Sequence, residues 1–136
     1  MATTFSLKTN GSGLYEFTDK VINVVSSSGV DEGLCTVFVQ HTSASLIIQE
    51  NADPTAREDL ERWLNRLVPE ESGFFSHTSE GLDDMPSHVK AALTQTSLGI
   101  PVTEGRLALG TWQGIYLWEH RSDRHTRSIV VSILGE

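Results

Sequence analysis

The chain is poor in the features that would place it outside the cell, in a membrane or on nucleic acid. It has one cysteine, Cys35, in 136 residues, so it forms no internal disulfide and gives no sign of secretion. Its longest apolar stretch, Ile129 to Leu134, falls far short of the roughly 20 residues a bilayer span needs. The opening Met1-Ala2-Thr3-Thr4-Phe5 lacks a basic segment followed by an apolar one, so no signal peptide is visible and a cytoplasmic location is expected. Basic residues number 10 against 18 acidic, a net charge of −8, which argues against a non-specific nucleic-acid binder. Repeats, low-complexity tracts and linkers are absent. So are H-E-x-x-H, C-x-x-C, G-x-S-x-G and both glycine-rich phosphate loops. What remains is 38% hydrophobic and 21% charged, the composition of an ordinary globule and the length of a single domain, residues 1–136.

Periodicity gives the elements. Thr4–Thr9 alternates as an edge strand, and Phe17, Val21, Val24 and Val25 recur at helical spacing up to Gly29. Leu34–Gln40 and Ser45–Gln49 read as buried strands. Asp53-Pro54 is a strong helix start, with an N-cap acid before a first-turn proline. Leu60, Trp63, Leu64 and Leu67 then mark an inward stripe, and Pro69 stops the run. Pro86 opens a third helix with Val89, Ala92 and Leu93 facing inward. Strands follow at Ile100–Val102, Arg106–Leu109, Gly110–Glu119 and Arg127–Leu134, with turns at Glu104-Gly105 and Ser122–Thr126. The class is α+β: a mostly antiparallel sheet with two or three helices. Along the Gly110–Glu119 strand Tyr116 and Trp118 share one face and Ile115 and Leu117 the other. Both faces want cover, and a chain this small has few layers to supply it, so an oligomer is expected.

Four histidines, His41, His77, His88 and His120, sit among polar residues near element ends. Imidazoles from separate segments can converge on a divalent ion and leave one position open; equally, such histidines serve as surface or capping residues. His41, Ser43 and Ser45 share a strand face, but no orienting acid is assignable, so hydroxyls lining a polar pocket outweigh a serine nucleophile. Asp83 and Asp84 could hold a hard cation, and at least one of them is expected to cap the third helix. Lys90, Arg106 and Arg121 are candidate anion holders or plain surface charges. Cys35 reads as a buried strand residue.

Taken together, His41-Thr42-Ser43-Ala44-Ser45-Leu46 with Glu50-Asn51-Ala52-Asp53-Pro54, then Asp83-Asp84-Met85-Pro86-Ser87-His88-Val89-Lys90, resemble two blocks of the secondary thiamine-phosphate synthase family, the YjbQ-like proteins. Ile100-Pro101-Val102, Gly105-Arg106-Leu107 and Leu109 to Ile115 resemble a third block, and Glu119-His120-Arg121 a fourth. The resemblance runs from Leu34 to Gly135. It implies a small α+β fold assembled as a homotrimer. It also implies an activity joining a hydroxymethylpyrimidine diphosphate to a thiazole phosphate with release of pyrophosphate. Carried onto matching positions, it gives catalytic His41, Asp84, Glu119 and Arg121, and substrate-binding Ser43, Asn51, Asp53, Lys90 and Gln113. His41, His77 and His88 become the preferred ligands of a divalent ion, zinc or magnesium. Two other readings stand beside this one: a metal-dependent hydrolase or transferase acting on another phosphorylated small molecule, and a non-enzymatic trimer that binds a metal or small ligand.

Overall fold

The computed structural model describes residues 2–70 and 73–136. Two antiparallel sheets face each other. The larger is ordered β1-β8-β3-β5-β6, from β1 (Ala2–Asn10), β3 (Gly33–Val39), β5 (Ser97–Thr103), β6 (Arg106–Leu107) and β8 (Arg124–Gly135). The smaller is ordered β2-β7-β4, from β2 (Gly13–Glu16), β4 (Ala44–Glu50) and β7 (Gln113–Glu119). Three helices complete the fold: α1 (Thr18–Ser28), α2 (Pro54–Leu67) and α3 (Asp84–Leu93). The α+β class and the antiparallel pairing are as the sequence predicts, and β1 is an edge strand.

The main core lies between the sheets. Cys35, Val37 and Val39 of β3 and Ile129, Val131 and Ile133 of β8 meet Leu46, Ile115 and Leu117 of the small sheet. Val21 and Val25 of α1, with Phe17 at its N-cap, close one side. Each fully buried aliphatic side chain contributes roughly 1.5–3 kcal/mol relative to exposure. A second cluster lies on the far face of the small sheet, where Leu14, Tyr116 and Trp118 pack on Leu64 and Val68. Strand β7 therefore buries both faces inside one chain, with the large sheet on one side and α2 on the other. The inference that a second subunit must cover it is thereby removed.

Local chemistry explains the element ends. Asp53 caps α2 by accepting from the Thr55 amide at 3.0 Å, and Pro54 occupies the first turn. Gly29 ends α1 with φ 72°, a left-handed conformation that glycine adopts without penalty.

Several expectations fail for identifiable reasons. Trp63 and Leu67 are more than half exposed, because α2 rests on the small sheet along a narrow stripe through Leu64 and leaves Trp63 on the wall of an open groove. Helix α3 begins at Asp84 and turns Asp84, Ser87, Lys90 and Ala91 inward, so Ala92 and Leu93 face out. Gly110–Trp112 is a turn before β7, closed by the Gln113 amide donating to the Gly110 carbonyl at 3.1 Å, and Trp112 is exposed there. Arg124–Thr126 belongs to β8, paired with β1, so the polar turn before it is shorter than predicted. Strand β2 has no counterpart in the periodicity.

Candidate metal centre

Helix α3 has a buried polar face, and the candidate site grows from it. Asp84 is 2% exposed. Its Oδ1 accepts from Arg121 NH1 at 2.7 Å. Its Oδ2 lies 2.8 Å from His77 Nε2 and 3.3 Å from His88 Nε2. His88 is one helical turn beyond Asp84, so the two share a face. His77 arrives from the loop before α3, and its ring centroid lies 5.7 Å from that of His88. Ligand atoms from His77, Asp84 and His88 all fall within 4.8 Å of one another.

The surroundings orient these groups. His88 Nδ1 is 2.9 Å from the Thr42 carbonyl. A carbonyl only accepts, so the proton sits on Nδ1 and the Nε2 lone pair points to the cluster. Arg121 donates from Nε to Asp83 at 3.0 Å and from NH2 to the Glu80 carbonyl at 2.9 Å, besides its bond to Asp84. All three guanidinium nitrogens are thus engaged by protein, which differs from the expectation of a fork open to phosphate. Asp83 stands at the N-cap position of α3 but makes no side-chain cap; its carboxylate turns to Arg121 and Ser122 instead. The expected capping role is not what this acid performs. Burial pushes the Asp83 carboxyl up, but the Ser122 amide and hydroxyl and the Arg121 guanidinium outweigh it and hold it down at about 2.

Behind Arg121 lies a buried ion pair. Glu119 and Arg127 are 1% and 3% exposed. Arg127 Nε donates to Glu119 Oε1 at 2.7 Å, and Arg127 NH2 bonds Glu119 Oε2. Thr9 Oγ1 donates to the same carboxylate at 2.7 Å and the Arg121 amide at 3.1 Å. Burial opposes ionisation of Glu119, but these donors win and keep its pKa below the ordinary value. Ser43 accepts from Arg127 NH2 through its hydroxyl at 3.0 Å. A carboxylate so enclosed holds the end of β7 in place.

His41 belongs to this second group. Its Nε2 accepts from the Ser128 amide at 2.8 Å, and its Nδ1 lies 3.3 Å from Arg127 NH1. Burial, then the Arg127 charge, lower its pKa. With both ring nitrogens facing donors, His41 stands apart from His77 and His88, and Asp84 takes the third place the sequence assigned to it. Lys90 is buried and donates to Asn65 Oδ1 at 2.7 Å.

The remaining predicted residues sit at the other end of the small sheet. Gln113 begins β7 and Glu119 ends it; six strand steps put them about 20 Å apart. Asn51 donates to Glu16 Oε2 at 3.1 Å, Gln113 Oε1 accepts from the Gly110 amide at 2.7 Å, and Asp53 caps α2. Within one chain these three shape turns and do not join the histidine cluster. Sequence reasoning missed Arg127, although a cation in the inward register of Ile129, Val131 and Ile133 is a visible anomaly.

The fold and this cluster define a small two-sheet α+β protein with a candidate metal centre at one end of its smaller sheet. The chain belongs to the UPF0047, YjbQ-like family, whose sequence model matches residues 3–136. It is 55% identical over 130 residues to a UPF0047 protein of Synechocystis sp., covering 96% of this chain and 88% of that one. It is 45% identical over 134 residues to the UPF0047 protein YjbQ of Escherichia coli O157:H7, covering 98% and 96%. The crystal structure of a hypothetical protein from Aeropyrum pernix K1 superposes with a TM-score of 0.90 at 30% identity, over 100% of this chain and 99% of that one.

Proposed function

We propose that the protein is a metal-assisted transferase that makes thiamine phosphate in the cytoplasm as a homotrimer, with His77, Asp84 and His88 as the ligands of a divalent ion. The observation that carries the metal assignment is the convergence of two imidazole nitrogens and one carboxylate oxygen within 4.8 Å. The donor set fits. Two histidines and a carboxylate with an open fourth position suit catalytic zinc, and the Thr42 carbonyl on His88 is the kind of outer partner that fixes a ligating tautomer. Arg121 binds Asp84 Oδ1 and leaves Oδ2 facing the histidines.

The reaction proposed breaks the C–O bond between the pyrimidine methylene and its diphosphate, with the electron pair leaving on pyrophosphate. The thiazole nitrogen then forms the new C–N bond. A bound divalent ion supplies charge stabilisation to the departing diphosphate. Asp84 and His88, fixed on one turn of α3, set the direction from which a phosphate oxygen is met. Arg121 acts through Asp83 and Asp84 and is a positioning residue. The role of transferring the pyrimidine methylene group from its diphosphate to a thiazole phosphate rests on the resemblance of the sequence blocks to the thiamine-phosphate synthase family.

A second reading is favoured by one observation. His77 is about half exposed, so the open position faces water. Hydrolysis of a phosphorylated small molecule would use the same donors with water as the nucleophile.

The trimer is supported by the outer face of the large sheet, where Leu34, Phe38 and Leu134 are 46%, 44% and 68% exposed.

The test is elemental analysis of the purified protein together with a thiamine-phosphate assay with and without chelator. Near-stoichiometric metal, lost in His77→Ala/His88→Ala, with chelator-sensitive product is the expected result. Metal that persists in that double variant overturns the ligand assignment. Metal without thiamine phosphate, but with phosphate release from other phosphoesters, moves the activity to the hydrolase.

A further inference from the structure

A separate cavity of about 150 Å³, lined by neither His77 nor His88, opens between α2, α3 and the end of β7. Its volume equals about five waters. Lys90 and His120 line it as buried residues, 8% and 4% exposed, and Ser12, Asn65 and Ser122 stand exposed around it.

The two buried groups are incompletely satisfied. An ammonium carries three donors, and among the described residues Lys90 Nζ has one partner, the Asn65 carbonyl oxygen, and no ion pair. Glu70 and Asp83 attract the ammonium from a distance, but neither pairs with it among the described residues and burial still opposes its charge, so the cavity favours an incoming negative charge. His120 Nε2 is 2.9 Å from Ser45 Oγ, while Nδ1 has no protein partner among the described residues. When the Ser45 hydroxyl donates to Nε2, the His120 proton sits on Nδ1 and becomes a further donor. Ser12 and the Asn65 amide add donors at the rim. Asp83, which attracts the Lys90 charge, is already hydrogen-bonded through Oδ2 by Arg121 and Ser122, and Glu61 and Glu119, which lie beside Ser12, Asn65 and His120, are engaged by the Leu14 amide and by Arg127. Glu70 is the acidic residue on the wall, and it is exposed at the mouth.

We infer that this cavity is an oxyanion subsite that takes a phosphate group, with Lys90 as its charge and Asn65, Ser12 and His120 as its hydrogen-bonding frame. Arginine is the usual residue for bidentate phosphate contacts, but Arg121 is spent on protein, whereas Lys90 offers a point charge with two donors unpaired among the described residues. The site is distinct from the histidine cluster, because His88 and Lys90 leave α3 on different faces. It does not depend on a metal. A phosphorylated substrate or free phosphate could supply the anion, and the two sources share this chemistry.

The experiment is isothermal titration in excess EDTA, with inorganic phosphate in one arm and a small phosphomonoester, phosphoethanolamine, in the other. The proteins are the wild type, His77→Ala/His88→Ala, Lys90→Met and Asn65→Asp. Asn65→Asp places a carboxylate on Lys90 from an exposed position, so it tests the charge even where Lys90→Met folds poorly. The expected result is saturable binding to the wild type and to the double histidine variant, weakened at least tenfold in Lys90→Met or Asn65→Asp. Tighter binding in the phosphomonoester arm would mark a substrate subsite, and equal or tighter inorganic phosphate a product or effector subsite. Either outcome supports the assignment. No binding in EDTA, wild-type affinity in both Lys90→Met and Asn65→Asp, or loss confined to the histidine variant would overturn it. Because no metal is present, failure here leaves the histidine assignment standing, and failure of that assignment leaves this one.

Discussion

Arg127→Met separates the structural contribution of the second cluster from that of the first. The substitution keeps the length and apolar stem of the side chain but removes the guanidinium that meets both oxygens of Glu119. Among the described residues, Glu119 then remains buried with the Thr9 hydroxyl and the Arg121 amide as its donors. Removing one partner of a buried pair costs about 3–5 kcal/mol, mostly because the remaining charge is left without compensation. For a domain of this size that is a fall in Tm of roughly 10–20 °C. The pH dependence carries the sharper test. In the wild type the folded-state pKa of Glu119 is depressed, so its contribution is present above the unfolded carboxylate pKa and is lost as pH falls through the folded value. Without Arg127 burial dominates, the folded pKa rises above the unfolded one, and the sign reverses. The variant should therefore gain stability, relative to wild type, as pH drops from 7 toward 5. Glu119→Gln in the Arg127→Met background should recover part of the loss at pH 7 by removing the stranded charge. Urea denaturation of the three proteins at pH 5 and 7 reads all of this. A loss below about 1 kcal/mol, or a pH slope identical to wild type, would refute the account of the pair as a buried charge clamp.

Leu46→Ala removes a fully buried side chain from between the sheets and should cost about 2–5 kcal/mol in urea denaturation. Gly33→Ala would place a Cβ 2.1 Å from the Leu134 carbonyl oxygen and 2.9 Å from the Gly135 Cα, so the β3–β8 pairing must shift; a loss of about 1–3 kcal/mol is expected, seen as a lower urea midpoint. Cys35 is fully buried and burial pushes its thiol up to about 11, so a thiol reagent at pH 8 should label it only at the rate of unfolding, and fast labelling of the native protein would contradict the packing. Phe38→Lys with Leu134→Lys should convert the proposed trimer to monomers by light scattering, while leaving far-ultraviolet circular dichroism unchanged.

Helix α2 was legible because its signals are local: an N-cap acid, a first-turn proline and a leucine stripe need no tertiary information. Strand β2 was not, because four residues after Gly11-Ser12 carry no alternation, and their conformation is set by pairing with β7. Helix α3 shows a different failure. Its inward face is Asp84, Ser87 and Lys90, and polar residues at helical spacing read as a solvated face until partners are known. Those partners come from distant segments: Arg121 and His120 from the end of β7, Thr42 from the end of β3, Asn65 from α2. Of the proposed ligands, His77 and His88 were named from the sequence, whereas Asp84 was read there as a catalytic acid and joins them through its place one turn before His88. His41 carries the same side chain in an equally polar setting, yet Ser128 and Arg127 occupy it. Residue type and polar company therefore do not separate a candidate ligand from a structural histidine; the direction of the free lone pair is what differs between His88 and His41. That direction depends on the core. Glu119, held by Arg127, receives the Arg121 amide, and the Arg121 side chain in turn fixes both aspartates. The segment 119–122 thus joins the buried ion pair to the proposed ligand group. A substitution at Arg127 that only destabilised the fold would leave metal content per folded molecule unchanged. One that moved this segment would lower it, and elemental analysis of the folded fraction of Arg127→Met distinguishes the two.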